Sequence, residues 1–350
     1  AEWKDQTCST SSETKDDKAF TKQLGSSADD MVKGVAVDSS DNIYVTGYTE
    51  GGLDGNTSSG KKDFFLTKYN SSGTKEWTKQ QGSSADDYGN GVAVDSSDNI
   101  YVTGATKGKL HGNKNSGIYD IFLVKYNSSG ARQWTNQLGT STVEHAYAVA
   151  TDSSDNIYVT GITWGGLDGS TKPSYCNQST IKASNECTDT FLVKYNSSGT
   201  KQWIKQLEAP SKSYERSQGL AVDSSDNIYV TGHTKGGLDS NTNSGGHDIF
   251  LVKYNSSGTK QWTQQLGSSE NDFGLGVTVD SSDNIYITGY TEGGLDGNTN
   301  SGERDIFLVK YNSSGTKQWT QQLGTPTYEE ANGVTVDSSD NIYVTGWTRG

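Results

Sequence analysis

The sequence predicts an all-β protein: a six-bladed β-propeller of four-stranded antiparallel blades, closed by an N-terminal strand that completes the last blade. Three observations carry this. First, the phrase GVAVDSSDNIYVTG, with small variations, occurs six times, its DSS aspartates falling at Asp38, Asp95, Asp152, Asp223, Asp280 and Asp337. Second, the successive spacings are 57, 57, 71, 57 and 57 residues. A fixed period of this size marks units that bury their apolar faces only against their neighbours. Third, each unit reads as four short strands. Four antiparallel strands repeated radially make propeller blades.

Residues 34–82 show how one unit is built. The run 34–38 is a short apolar strand, and Ser39-Ser40-Asp41-Asn42 is a turn. A second strand covers 43–49, and a long Gly/Asn/Ser loop leads to a third at 63–70. Ser71-Ser72-Gly73 turns the chain into a fourth at 75–81. β-branched and aromatic residues sit in the strands, and turn formers sit between them. The third strand is apolar on both faces: in DIFLVKY, Ile249 and Leu251 alternate with Phe250, Val252 and Tyr254. A sheet wedged between two others requires that. Trp77, Trp134, Trp203, Trp262 and Trp319 form a column on the fourth strand, with Phe20 in the sixth place. The column reads as filling between blades, with ligand stacking as the alternative.

Only 30% of the 350 residues are apolar, and 42 are glycine. The apolar residues are concentrated in the strands, which argues for a β core with polar turns rather than for disorder. A net charge of −13 argues against nucleic acid and anionic membrane surfaces as partners. No apolar run approaches the ~18 residues of a membrane span. Cys176 and Cys187 bracket the 14 extra residues of the long third unit. They read as a local disulfide in an oxidising compartment, against the alternative of two incidental thiols. Cys8 is left over, either free or paired between chains. The chain starts at Ala1 without a leader-like run, as a processed secreted protein would, and as a trimmed chain would too.

The runs VAVDSSDNIYVTG, DIFLVKYNSSGTKQW and QLG resemble the SBBP-type β-propeller repeat of secreted and surface proteins of bacteria and archaea. The resemblance covers residues 19–350, leaving 1–18 as an N-terminal extension and a disulfide-bracketed insertion around 170–188. It implies a fold and a location, and it brings no assigned activity. A more distant resemblance to NHL-type propellers implies that the first strand of each blade lines a central channel.

The strand count exposes a gap. The first and second strand phrases occur six times, but the third occurs five times, at Asp63, Asp120, Asp189, Asp248 and Asp305. Phe20-Thr21-Lys22-Gln23-Leu24-Gly25 matches a fourth strand, so the N-terminus supplies an outer strand that the last blade lacks. Its third strand has three candidate sources: a degenerate strand around Trp3, chain beyond residue 350, or a neighbouring molecule. An unpaired edge invites an incoming strand.

The loop between second and third strands carries the strongest chemical motif. Asp54, Asn56, Ser58 and Asp63 are matched by Asp239, Asn241, Asn243 and Asp248, and by Asp296, Asn298, Asn300 and Asp305. Oxygen-bearing residues at alternate positions, a glycine and a closing aspartate suit a hard cation such as Ca²⁺. The alternative is a turn fastened by Asx hydrogen bonds. His111 replaces the first aspartate in the second unit, and the insertion disrupts the third near Asp168. Eight residues before each DSS aspartate stands an acid: Asp30, Asp87, Glu144, Glu215, Asp272 and Glu329. This set reads as loop-holding carboxylates or as a cation funnel. Asn70, Asn127, Asn196, Asn255 and Asn312 each open Asn-Ser-Ser, a glycosylation pattern that Asn56 and Asn177 also satisfy with other residues, although YNSSG is also a good hairpin turn.

No catalytic residue is assigned. His111, His145, His233 and His247 are scattered over the repeats without ligand or triad spacing. The residue after each Thr-Gly varies (Tyr48, Ala105, Ile162, His233, Tyr290, Trp347), either as a ligand-facing ring or as packing differences. The expectation is a secreted, non-enzymatic structural or adhesive module, with itself or a cell-surface protein or glycan as partner, self-assembling into filaments. The alternative is a calcium-dependent module that binds carbohydrate or protein.

Overall fold

A computed structural model describes residues 21–170, 188–207 and 214–349. Cys8, Trp3, Phe20, Cys176, Asn177 and Cys187 lie outside the described residues, so the expected disulfide and the extension do too.

The first blade is β1 (Asp30–Val37), β2 (Ile43–Thr49), β3 (Asp63–Tyr69) and β4 (Lys75–Gln81). The second is β5 (Asp87–Val94), β6 (Ile100–Thr106), β7 (Asp120–Tyr126) and β8 (Arg132–Leu138). The third is β9 (Glu144–Thr151), β10 (Ile157–Thr163), β11 (Asp189–Tyr195) and β12 (Lys201–Leu207). The fourth is β13 (Glu215–Val222), β14 (Ile228–Thr234), β15 (Asp248–Tyr254) and β16 (Lys260–Leu266). The fifth is β17 (Asp272–Val279), β18 (Ile285–Thr291), β19 (Asp305–Tyr311) and β20 (Lys317–Leu323). The sixth has two strands, β21 (Glu329–Val336) and β22 (Ile342–Thr348). Every sheet is an antiparallel meander.

Second, third and fourth strands fall within a residue of their expected bounds. The first strand begins four residues earlier than expected, at the acid. A β-bulge, seen as a register shift between Val32 and Gly34, lets pairing continue through a stretch whose polar and glycine residues read as loop. The turn after it is held by the DSS aspartate. Asp38 Oδ1 accepts the Ser40 and Asn42 amides at 3.0 and 2.9 Å, and its Oδ2 accepts the Tyr44 hydroxyl at 2.9 Å. Asp41 takes the left-handed conformation (φ 61°) that the turn needs and that aspartate tolerates.

The core lies between blades rather than within them. Tyr44, Phe64 and Leu66 of the first blade meet Val102, Phe122 and Val124 of the second. Tyr101, Ile121 and Leu123 then meet Val159, Phe191 and Val193, and the pattern continues to the fifth blade. The tryptophan column closes these seams as expected of filling. Trp134 lies 6.0 Å, ring to ring, from Tyr101, and the NSSG turn of the next blade covers it at Gly199. Consecutive blades are also clasped at the surface. Ser39 bonds through its amide and hydroxyl to Asp98, and Ser96, Ser153, Ser224 and Ser281 reach Asp155, Asp226, Asp283 and Asp340. Each exposed clasp is worth about 1 kcal/mol. Each buried aliphatic or aromatic side chain contributes about 1.5–3 kcal/mol, so the apolar seams dominate. Among the described residues no such clasp joins Ser338 to Asp41.

Candidate functional site

Two places break the repeat, and both follow from the strand count. The first is the sixth blade. In the second blade every residue of β6 is buried, whereas β22 is mostly exposed. Beside it lies a groove of about 510 Å³ lined by Ile306, Leu308, Leu323, Ala331, Val344 and Trp347. Leu323 is 53% and Trp347 40% exposed. On the first blade, Val35 and Val37 are 65% and 54% exposed, while their counterparts Val92 and Val94 pack into the seam of the preceding blade. Both sides of the missing outer half-blade are therefore apolar. Thr21–Gly25, the described part of the expected closing strand, forms no strand. Its remaining residue, Phe20, lies outside the described residues.

The second place is the axis. One cavity of about 720 Å³ is lined by Met31, Asn90, Tyr147, Arg216, Phe273 and Glu330, that is, by the first strand of all six blades. Six sheets thus surround a common axis, with first strands innermost. These lining positions differ from blade to blade in otherwise near-identical repeats. The residues after Thr-Gly divide: His233 and Tyr290 face this cavity, whereas the buried Ala105 and Ile162 pack. His233 and His247, apart in the sequence, are brought within 5.3 Å ring to ring, with Phe273 4.5 Å from His233. The β14–β15 register, which pairs Thr234 with Asp248, makes them diagonal neighbours. That register was the available signal in the sequence. Burial holds the pKa of both imidazoles below the ordinary value, with the charges of His247 and Arg216 adding to the effect at His233. The Arg216 guanidinium lies 4.6 Å over the Tyr147 ring.

The expected cation loops are divided rather than gathered. Asp54, Asp239 and Asp296 pair with Lys75, Lys260 and Lys317 on the fourth strand of their own blades, and with Thr78, Thr263 and Thr320. His111 takes the same place, its Nδ1 2.8 Å from the Thr135 hydroxyl. Asn56, Asn241 and Asn298 donate to the carbonyls of Leu53, Leu238 and Leu295. Ser58 donates to the Gly60 carbonyl, Asn243 accepts the Gly245 amide and Asn300 donates to the Gly302 carbonyl. Asp63, Asp248 and Asp305 turn inward and accept from Gln80, Gln265 and Gln322. Among the described residues no group of three or more His, Cys, Asp or Glu side chains converges.

The acids eight residues before DSS do hold loops. Asp87 accepts the Ser83 amide at 2.6 Å and the Thr106 hydroxyl, and Glu144 accepts the Thr140 amide at 2.7 Å. Burial raises the pKa of both, and it raises Asp272 to about 6, with the neighbouring Asp248 adding to the effect. In the NSSG turns the asparagine oxygen does the structural work: Asn70, Asn127, Asn196, Asn255 and Asn312 each accept the amide four residues on.

A beta-propeller repeat model, SBBP, matches residues 19–54, 76–110, 133–168, 202–239, 261–296 and 318–350. Each match begins at a fourth-strand phrase and ends after the second strand of the next blade. The chain is 25% identical over 370 residues to an uncharacterized WD repeat-containing protein of Acanthamoeba polyphaga mimivirus, covering 83% of this chain and 27% of that protein. It is 27% identical over 202 residues to the regulatory protein FlaEY of Caulobacter vibrioides, covering 55% of this chain and 20% of that protein. The matches thus span about a quarter of these relatives' length. Among solved structures, a gluconolactonase from Xanthomonas campestris is 11% identical with a TM-score of 0.45, over 90% of this chain and 82% of that one. A protein of unknown function from Bacteroides caccae is 11% identical with a TM-score of 0.46, over 83% and 81%. With six repeats matched along its length, the chain belongs to the SBBP beta-propeller repeat family.

Proposed function

We propose that this chain is a non-enzymatic, extracellular structural or adhesive propeller that assembles with itself by strand exchange at the sixth blade. The observation that supports this is the two-stranded blade, with an apolar groove on one side and bare valines on the other. A third strand in this fold is apolar on both faces, as β7 and β15 are. The incoming segment must match both. In this reading the incoming segment is the N-terminal part of a second copy, residues 1–18 followed by the fourth-strand match at 20–25; the same segment folding back within one molecule is the competing outcome. The fourth-strand match at 20–25 cannot lie against β22 until a third strand stands between them. At an open sheet edge, main-chain bonding gives such an incoming segment its affinity and alternate pockets give its register.

Light scattering and negative-stain microscopy of the 350-residue chain across concentrations test this. Filaments or defined oligomers are expected, and a peptide spanning 247–256, which carries DIFLVKY, should block their growth at molar excess. A monomer at every concentration, indifferent to the peptide, overturns the reading.

A second reading is favoured by the axial cavity: a binding module whose asymmetric corner of Arg216, His233, His247 and Tyr214 receives a small ligand. This chemistry suits an acidic sugar or another carboxylate-bearing molecule, with aromatic faces for the ring and the guanidinium for the charge.

A further inference from the structure

Assembly leaves unexplained a set of buried carboxylates at the junctions between blades. The aspartate that opens each third strand stands beside the acid that opens the next blade: Asp63 with Asp87, Asp120 with Glu144, Asp248 with Asp272, and Asp305 with Glu329. Seven of the eight are 0% exposed and Glu329 is 6% exposed. One oxygen of each aspartate is bonded. Asp63 Oδ2, for example, accepts the Ser59 amide at 2.7 Å and the Gln80 amide at 3.0 Å. The other oxygen, Oδ1 of Asp63, Asp120, Asp248 and Asp305, is buried with no hydrogen-bond partner among the described residues.

A glycine marks where each pair meets. A methyl group on Gly82 would stand 2.2 Å from Asp63 Oδ1 and 3.0 Å from Asp87 Oδ2. On Gly139 it would stand 2.2 Å from Asp120 Oδ1 and 3.0 Å from Glu144 Oε2. Gly267 and Gly324 likewise crowd the orphan oxygens, Asp248 Oδ1 and Asp305 Oδ1, at 2.2 and 1.9 Å. At Gly82 and Gly139 the orphan oxygen and the next blade's acid thus approach one point, which the missing side chain keeps clear.

Two carboxylates about 5 Å apart repel by roughly 3 kcal/mol at an effective dielectric of 20. Burial adds a desolvation cost to each. Hydroxyl and amide groups bond the acids of the next blade and one oxygen of each aspartate, and leave the aspartate Oδ1 bare. The geometry points to a divalent cation of the calcium class, held between consecutive blades by the orphan Oδ1 and the facing acid at these four junctions. Only oxygen donors are present, which selects hard cations. This keeps the closing aspartates of the sequence motif and replaces its lysine-paired opening ones with acids of the next blade.

The test is calcium titration of the chelator-treated chain by calorimetry, beside thermal melting at neutral pH. Binding of up to four equivalents is expected, with Kd on the order of 0.1–1 mM as in extracellular modules. Melting should rise by several degrees with calcium and fall again with EDTA. Asp272→Asn should lose one equivalent, and Asp239→Asn, in the loop motif, should lose none. Absence of calcium binding by the folded wild-type chain up to 5 mM overturns the inference and leaves a shared proton at each pair. Loss of an equivalent in Asp239→Asn with none in Asp272→Asn overturns it in favour of the loops. Should Asp272→Asn fail to fold, Glu144→Gln and the wild-type stoichiometry decide. All readouts are taken on the monomeric fraction, so they stand or fall apart from assembly.

Discussion

At Gly104 the second strand passes under the bulge of the first. A methyl group there would lie 1.7 Å from the Tyr88 carbonyl oxygen, and nothing flexible can move aside. Gly104→Ala should cost roughly 1–3 kcal/mol through overpacking, read as a drop in the urea midpoint. Gly346 occupies the same place in the half-built blade, with the Glu330 carbonyl 2.0 Å from its added methyl, but its strand is mostly exposed and free to shift. Gly346→Ala should cost clearly less, and equal costs would refute this account. Single residues were the least legible scale. Asp54 stood out by its neighbours in the loop, and its ion-pair partner is Lys75, 21 residues on and reached only through strand pairing. His233 and His247 looked unrelated for the same reason, since the register that unites them belongs to β14 and β15.

Elements were far more legible. The second, third and fourth strands of a blade are bounded by turns whose chemistry is local: the Asx bonds of Asp38 and Asn70 and the left-handed Asp41 and Gly73. The first strand was misjudged at its start because a bulge leaves no alternation to read. The tryptophan column was legible as filling, since a large ring at every fourth-strand repeat needs a small partner, and the NSSG glycine is that partner. The consequence is testable. Trp134 is closed by the turn at Gly199, whereas among the described residues no such turn stands against Trp319. Trp134→Ala should cost about 2 kcal/mol, below the roughly 3–5 kcal/mol of a fully buried ring. Trp319→Ala should cost distinctly less in the same unfolding experiment.

For the molecule as a whole, stability is unevenly shared. Among the described residues, blades two to five each have a neighbour on both faces, while the first and sixth have one each. Hydrogen exchange of dilute monomer should find β1 and β22 opening well before β6 and β7, because local opening follows the apolar area each strand buries. Uniform protection around the ring would contradict the open seam. Among the described residues no clasp joins Ser338 to Asp41, which carries this further. An interrupted hoop yields where an unbroken one cannot, widening or narrowing its bore by movement at the break while every sheet stays intact. A molecule lodged on the axis and a strand laid into the gap would then each set the hoop's diameter. By reciprocal linkage, whichever arrives first changes the grip on the other by the same factor.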